Sequence, residues 1–341
     1  MTSTWLDFLS SRGAQVRDGC VADFGAPGEE LAAAASGLVI ADLSHFGLVA
    51  LSGEEAQTFL HGQITNDLRA LSPAGAVFAA YCSAKGRMLA NFLLFRRDDD
   101  ILLMLPASIR EATQKRLSMF ILRAKVKARD ASAEWVRLGL SGPGASDLLT
   151  SVLGIEPPGE IMAVSQADSA FAVKLGDERF DLFLAPAETE AFWNQFAAQA
   201  RPVGAPAWDW LMVRAGVPVI LAQTQDQFVP QMANMDALHG ISFQKGCYPG
   251  QEIVARTQYL GKQKRRLFLA HVDALAAPGD SLYSQDLPGQ AVGMVANAAV
   301  APGGGSDVLA VLQISSYDAG DVRLGAPDGP CLTFMALPYA A

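Results

Sequence analysis

The chain has 341 residues and carries 26 lysines and arginines against 35 aspartates and glutamates, a net charge of −9. Apolar residues make up 50% and charged residues 18%, which excludes a disordered chain and allows two or three domains around a sizeable core. The negative balance disfavours broad nucleic-acid binding. No apolar run has the length of a membrane span; the nearest, Leu31 to Ala41, is broken by Ser36-Gly37. The opening Met1-Thr2-Ser3-Thr4-Trp5-Leu6-Asp7 lacks the basic region of a signal peptide. Cys20, Cys82, Cys247 and Cys331 are widely spaced, with no Cys-x-x-Cys pair. Neither a disulfide framework nor a self-contained metal cage is expected, no metal site is assigned, and a reducing cytoplasm is the expected location.

In chain order, residues 5–22 read as a short helix and a turn. Leu38-Val39-Ile40-Ala41 and Leu48-Val49-Ala50-Leu51 read as buried strands, and Ser52 with Glu55 reads as a capping box opening a helix to about Gly62. Gln63 to Asp67 is a polar loop. Ala76 to Cys82 and Met88 to Arg96 pair across Ser83-Ala84-Lys85-Gly86-Arg87, and Ile101 to Leu105 is a further strand. Pro106 precedes a helix through Phe120, with Ile109, Ala112, Leu117 and Phe120 expected to face inward. Strands near 124–129 and 135–140, a helix from Pro143 to about Leu153, three short strands in 161–185 and a helix from Pro186 to Ala200 follow. Arg201 to Pro206 reads as a linker and Trp208 to Arg214 as a short helix. From Arg266 on, short strands (267–272, 291–299, 307–314, 331–336) alternate with Pro- and Gly-rich turns, which predicts a small C-terminal β-barrel or sandwich. The whole is α+β, with no internal repeat.

One stretch concentrates chemistry: Lys245-Gly246-Cys247-Tyr248-Pro249-Gly250-Gln251-Glu252. Tyr248 to Gln251 predicts a type II turn, with proline presetting φ and glycine accepting the positive φ that follows. Ile253, Val254, Thr257 and Leu260 then recur at helical spacing, with Gly261 as C-cap. Cys247 therefore stands just ahead of a helix N-terminus, two residues from Lys245, and both features favour thiolate. An inert, buried cysteine in a turn is the plainer alternative. Between Lys245 and Arg266 the basic residues Lys245, Arg256, Lys262, Lys264, Arg265 and Arg266 face the single acid Glu252. This is either a solvated helix end or a dock for an anionic ligand tail or RNA.

Three segments together resemble one family. Asp42-Leu43-Ser44-His45-Phe46-Gly47 with Ser52-Gly53-Glu54-Glu55-Ala56 is similar to the opening of the glycine cleavage T-protein superfamily. Phe59 to Asp67 and Cys82 to Arg87 narrow the resemblance to its YgfZ branch, whose signature is Lys245 to Glu252. The resemblance covers nearly the whole chain from Leu38. It implies a three-lobed ring with a folate channel: lobes within 1–205, a central motif segment 206–265 completing the channel, and the C-terminal barrel 266–341. It also implies a tetrahydrofolate-dependent role in iron–sulfur cluster assembly or repair, in support of cluster enzymes including the one that methylthiolates tRNA.

Where the aminomethyltransferases of the superfamily carry two adjacent acids, this chain has Ala90-Asn91. Where their Glu grips the pterin, it has Arg214. An amide cannot take a proton from the aminomethyl group, and an arginine cannot accept the pterin's N–H donors. The scaffold is expected to be kept and aminomethyl transfer lost, with the question of an enzyme left open. Cys247 is the candidate reactive group, able to hold iron, sulfur, a one-carbon adduct or a transient cluster. Lys245 either lowers its pKa, neutralises a folate carboxylate or is a surface lysine. Asn66, Asp67, Lys85 and Arg214 are candidate folate ligands, with local turn bonds or ion pairs as their alternatives. Gln251 and Glu252 either contact ligand or cap the helix, and Arg256 either joins them or pairs with Glu252. Expected partners are folate and iron–sulfur client enzymes, with tRNA contact through 245–266, no membrane, and a monomer. A folate-dependent aminomethyl or methyl transferase, and a tRNA- or protein-docking module, are the competing readings.

Overall fold

Each apolar run of the chain needs a partner surface, and the computed structural model, which describes residues 2–259 and 263–340, supplies these in two units. The first comprises the chain up to Ala56, Ala70–Val77 and Leu93–Trp208; the second comprises Gln57–Arg69, Phe78–Phe92 and the chain from Asp209. The strands Ala76–Cys82 and Met88–Arg97 each pass from one unit to the other along their length.

In the first unit a six-stranded sheet runs in the order Val164–Gln166, Ala170–Gly176, Arg179–Leu184, Val136–Ser141, Val39–Asp42, Arg201–Val203. Val39–Asp42 is buried at all four positions, as a run without polar alternation should be. Trp5, Leu9, Ile40, Leu138, Leu140, Trp193 and Phe196 close the core on this sheet. The expected linker at 201–206 is in fact ordered: Arg201–Val203 forms the parallel edge strand beside Val39–Ala41. Pro202 is tolerated because an edge strand can spare one N–H.

A second sheet has the order Ala76–Cys82, Met88–Arg97, Asp100–Pro106, Phe46–Ser52, Lys127–Asp130. The expected capping box does not form. Ser52 ends a strand, the helix begins at Ala56, and the Glu55 carboxylate instead accepts from the Lys125 backbone N–H at 2.7 Å. The helix Ala107–Ser118 buries Ile109, Thr113 and Leu117, one residue every turn. Ala112 and Phe120 are exposed, because the buried stripe runs at intervals of four and the helix ends before Phe120. Before these elements the expected turn within 5–22 is a hairpin of Gln15–Arg17 and Cys20–Asp23, and a helix Pro27–Ser36 follows that was not expected.

The second unit holds a curled antiparallel half-barrel in the order Val322–Leu324, Ser281–Ser284, Ala291–Val300, Ser306–Gln313, Arg265–Val272, Thr333–Met335. Val272, Leu282, Val292, Val295, Val308 and Leu312 fill its inner face. Among the described residues no helix is long and apolar enough to cross a membrane.

Candidate functional site

Three segments of the second unit converge: the loop His61–Asp67, the hairpin turn Cys82–Met88 and the motif Lys245–Glu252. The motif turn forms as its residue types require. Gly250 sits at φ +78° and the Gln251 N–H donates to the Tyr248 carbonyl at 3.2 Å, after which the helix Gln251–Tyr259 begins. Leu260, Gly261 and Lys262 lie outside the described residues.

Two glycines bring motif and hairpin together. A Cβ on Gly250 would lie 2.5 Å from both the Gly86 Cα and the Ser83 carbonyl oxygen, and one on Gly86 would lie 2.8 Å from the Ile253 Cβ. Only bare backbones approach this closely. The hairpin is held in turn by Ser83, whose hydroxyl donates to Asp226 at 2.8 Å, and by the Met88 N–H, which donates to the Phe228 carbonyl at 2.8 Å.

Lys245 points inward. It is 6% exposed, and its ammonium donates to the carbonyls of His61 and Ile64 and lies 4.8 Å from the centre of the Tyr248 ring. Burial lowers its pKa to about 8. The side chain thus pins the motif to the 61–64 loop. Cys247, two residues on, is exposed, and among the described residues its sulfur has no hydrogen-bond partner. The turn therefore splits the motif's chemistry, with the cation sealed inside and the thiol presented outside.

The 61–67 loop is fastened by its own side chains. Thr65 Oγ1 donates to the Gly240 carbonyl at 2.6 Å and accepts from the Ala80 N–H at 2.8 Å. Asn66 Nδ2 donates to the carbonyls of Phe78 and His239, both at 2.7 Å, while its Oδ1 accepts from the Asp67 N–H. Asp67 pairs with Arg69, which holds the carboxyl well below the usual range. His61 is shifted down, first by burial and then by the Lys245 charge. Between these fastened groups the Gln63 Oε1 is buried and has no partner among the described residues. Cys82 is buried and its thiol pushed up to about 12 by that burial. Lys85 is exposed on the hairpin turn.

On the helix, Gln251 is half-buried and Glu252 and Arg256 are exposed, and the two charged residues form no ion pair with each other. Arg214 belongs to a different cluster. It lies 2.8 Å from Met335 Sδ and 3.5 Å from Asp307, a buried carboxylate that also accepts from Trp210 Nε1 at 2.8 Å and meets His271 Nδ1 at 2.9 Å. Of the basic 245–266 segment, Lys245 is buried and Arg266 is paired with Asp236 at 2.8 Å, while Arg256 and Lys264 are exposed. Trp208 packs in the first unit, where a Cβ on Gly139 would lie 2.5 Å from its ring.

Gln63, Thr65 and Asp226 contribute without any residue pattern that marks them, and Asn91, which the sequence shows as a lost acid, has a structural role. Asn91 is buried, its Nδ2 donating to the Pro218 carbonyl at 2.7 Å and its Oδ1 accepting from the Ile220 N–H at 2.8 Å. A carboxylate could fill only half of that bridge, so this position needs an amide. Asp226, at φ +58°, carries no local pattern that marks it. A cavity of about 730 Å³ in the first unit is lined by residues including Trp5, Ser44, Trp135, Arg137 and Glu190, and none of the expected ligands lines it.

A family model described as the GCVT N-terminal domain matches residues 21–242. The crystal structure of glycine cleavage system aminomethyltransferase T from Bartonella henselae matches with a TM-score of 0.77, covering 99% of this chain and 97% of that one at 17% identity. The fold is therefore that of the glycine cleavage aminomethyltransferases. Proteins named tRNA-modifying protein YgfZ are similar in sequence as well. That of Yersinia enterocolitica is 32% identical over 310 residues, 89% of this chain and 93% of the relative. That of an Enterobacter species is 31% identical, over 92% of this chain and 97% of its own length. The one from Colwellia psychrerythraea is 37% identical over 67% of this chain and 69% of its own. The chain belongs to the YgfZ family, a branch of the glycine cleavage T-protein superfamily.

Proposed function

We propose that the chain is a cytoplasmic, tetrahydrofolate-binding accessory protein for iron–sulfur cluster assembly or repair, serving cluster enzymes that include tRNA-methylthiolating ones, and that it acts through Cys247. The observation that carries this reading is the presented, unpartnered sulfur of Cys247 on a turn fixed from both sides, by the Lys245 anchor and by the Gly250–Gly86 approach. A turn fixed this firmly holds a reactive atom in place without help from the ligand.

The residues fit a reduced folate. The buried, unpartnered Oε1 of Gln63 is an acceptor suited to a pterin N–H, the exposed Lys85 is a cation suited to the glutamate tail, and Gln251 stands half-buried at the start of the motif helix. Folate would supply one-carbon or redox chemistry when bound. The chain's own residues would accept the pterin's protons in hydrogen bonds, hold the tail and present the thiol. Asn66 is already saturated by two carbonyls and its neighbour's N–H, so it would shape the loop rather than grip a ligand directly. A single cysteine cannot cage a cluster, so the remaining ligands would come from a client protein.

Aminomethyl transfer is the second reading, favoured by the shared fold. It lacks the proton acceptor that the superfamily's transferases place at the position of Asn91, whose amide is consumed by backbone. The test is a titration with tetrahydrofolate, read by tryptophan fluorescence, together with rescue of cluster-enzyme activity in cells lacking the protein. Cys247→Ala should stay folded and lose rescue. Full rescue by that variant removes the proposed role, and single-turnover transfer from an aminomethyl donor would restore the transferase reading.

A further inference from the structure

A second basic surface of this acidic chain lies in the first unit, outside the motif segment. From Lys115 to Arg129 the sequence carries Lys115, Arg116, Arg123, Lys125, Lys127 and Arg129 and no acid. Two of these are neutralised: Lys125 pairs with Glu54 at 2.7 Å, and Arg129 is held between Asp100 and Glu134 at 2.6 and 2.8 Å. Lys115, Arg116, Arg123 and Lys127 are exposed and form no ion pair among the described residues.

Large apolar side chains stand among these free cations. Met119 is 59% exposed, Phe120 45% and Leu122 87%. They follow the helix Ala107–Ser118 on a turn closed by the Ala124 N–H to the Ile121 carbonyl at 2.8 Å. Leu122 occupies the left-handed region at φ +47°, which a branched side chain enters at a cost of roughly 1 kcal/mol or more. A strained backbone that holds an apolar side chain in water stabilises nothing in the free protein. It is accounted for by a partner that covers it.

We infer that residues Lys115–Lys127 form a docking surface for structured RNA with an unstacked base, as in a tRNA loop. The four free cations would neutralise phosphates, and Phe120 offers a face on which an exposed base can stack, with Leu122 and Met119 beside it. A bilayer is the less suitable occupant. The helix turns its buried face, with Ile109, Thr113 and Leu117, to the interior, and a membrane-lying helix needs its apolar residues free. The inference is independent of folate binding.

The test uses the full chain and fluorescence anisotropy with labelled unfractionated tRNA across a salt series. Wild type should bind with an affinity that falls by about 0.7 logarithmic units for each phosphate contact per tenfold rise in salt. Arg116→Glu with Arg123→Glu should weaken binding at least tenfold and flatten the salt dependence by about one contact per charge removed. Phe120→Ser with Leu122→Ser should weaken it severalfold and leave the slope unchanged. Lys264→Glu with Arg265→Glu should bind tRNA like wild type. All variants replace exposed residues except the half-buried Arg265, and circular dichroism and the tetrahydrofolate titration check that fold and folate site are intact. Three results overturn the inference: no tRNA binding at low salt, an equal loss from the Lys264 and Arg265 changes, or capture by phosphatidylserine-containing vesicles in place of tRNA. None of these bears on Cys247, whose rescue assay stands separately.

Discussion

Replacing Gly250 with alanine tests the joint on which the presented thiol rests. The new methyl meets two costs. At φ +78° an L-residue gives up about 1 kcal/mol relative to glycine. Its Cβ would also fall 2.5 Å from the Gly86 Cα and the Ser83 carbonyl oxygen and 2.7 Å from the Gly86 N, all backbone atoms that no rotamer change can move aside. Overpacking against such neighbours costs about 1–3 kcal/mol. Gly250→Ala should therefore lower stability by about 2–4 kcal/mol in a denaturant titration. Because the strain is relieved by parting the turn from the hairpin, it should also weaken tetrahydrofolate binding. Gly246→Ala is the internal control. Its Cβ meets nothing within 4 Å and its φ is not in the left-handed region, so the change should cost under about 0.5 kcal/mol. The reasoning fails if Gly250→Ala denatures within 0.5 kcal/mol of wild type, or if the two alanines are equally damaging.

Four further outcomes are expected. Lys245→Met should cost about 2–4 kcal/mol, since it strips the donor from two carbonyls in a buried site; an unchanged denaturation midpoint would remove the anchor. Asn91→Asp sets a carboxylate against the Pro218 carbonyl and should cost about 1–3 kcal/mol without conferring aminomethyl transfer, read by denaturation and single turnover. Cys247→Ser, at an exposed position, should leave the melting temperature within a degree or two. The hydrogen bond to Asp307, joined by Asp273, raises the pKa of His271 above its usual value near 6.5. Its stabilising contribution is thus complete below that value and lost as pH climbs through the raised folded-state pKa. His271→Gln should flatten the fall in stability as pH rises from the usual histidine range through the raised pKa, and an unaltered pH profile would contradict the pairing.

Much of the fold was legible because side-chain periodicity is a local property. The apolar run 38–41, the paired strands on either side of Ser83–Arg87, the helix after Pro186 and the turn at Tyr248–Gln251 all follow from a few adjacent residues. The missed elements have weak patterns. Pro27–Ser36 is mostly alanine after its first turn, so it shows little contrast between faces. Gln15–Arg17 and Cys20–Asp23 are too short for alternation, although Asp18-Gly19, at φ +49° and +77°, is the usual two-residue hairpin signal. A helix pattern does not mark its own last turn, so periodicity alone puts Phe120 on the inner face.

Local chemistry was enough to mark the motif's own residues and to place its bend, since proline, glycine and helical spacing act over a handful of bonds. The role of each side chain was set by contacts between segments far apart in the chain. Lys245 turns from the thiol to two carbonyls 181 and 184 positions away, Asn66 is consumed by backbone, and Asn91 bridges to Pro218 and Ile220 across more than a hundred residues. A buried polar group must find its partner wherever folding brings one, and that choice is made by which segments share a core rather than by neighbours along the chain.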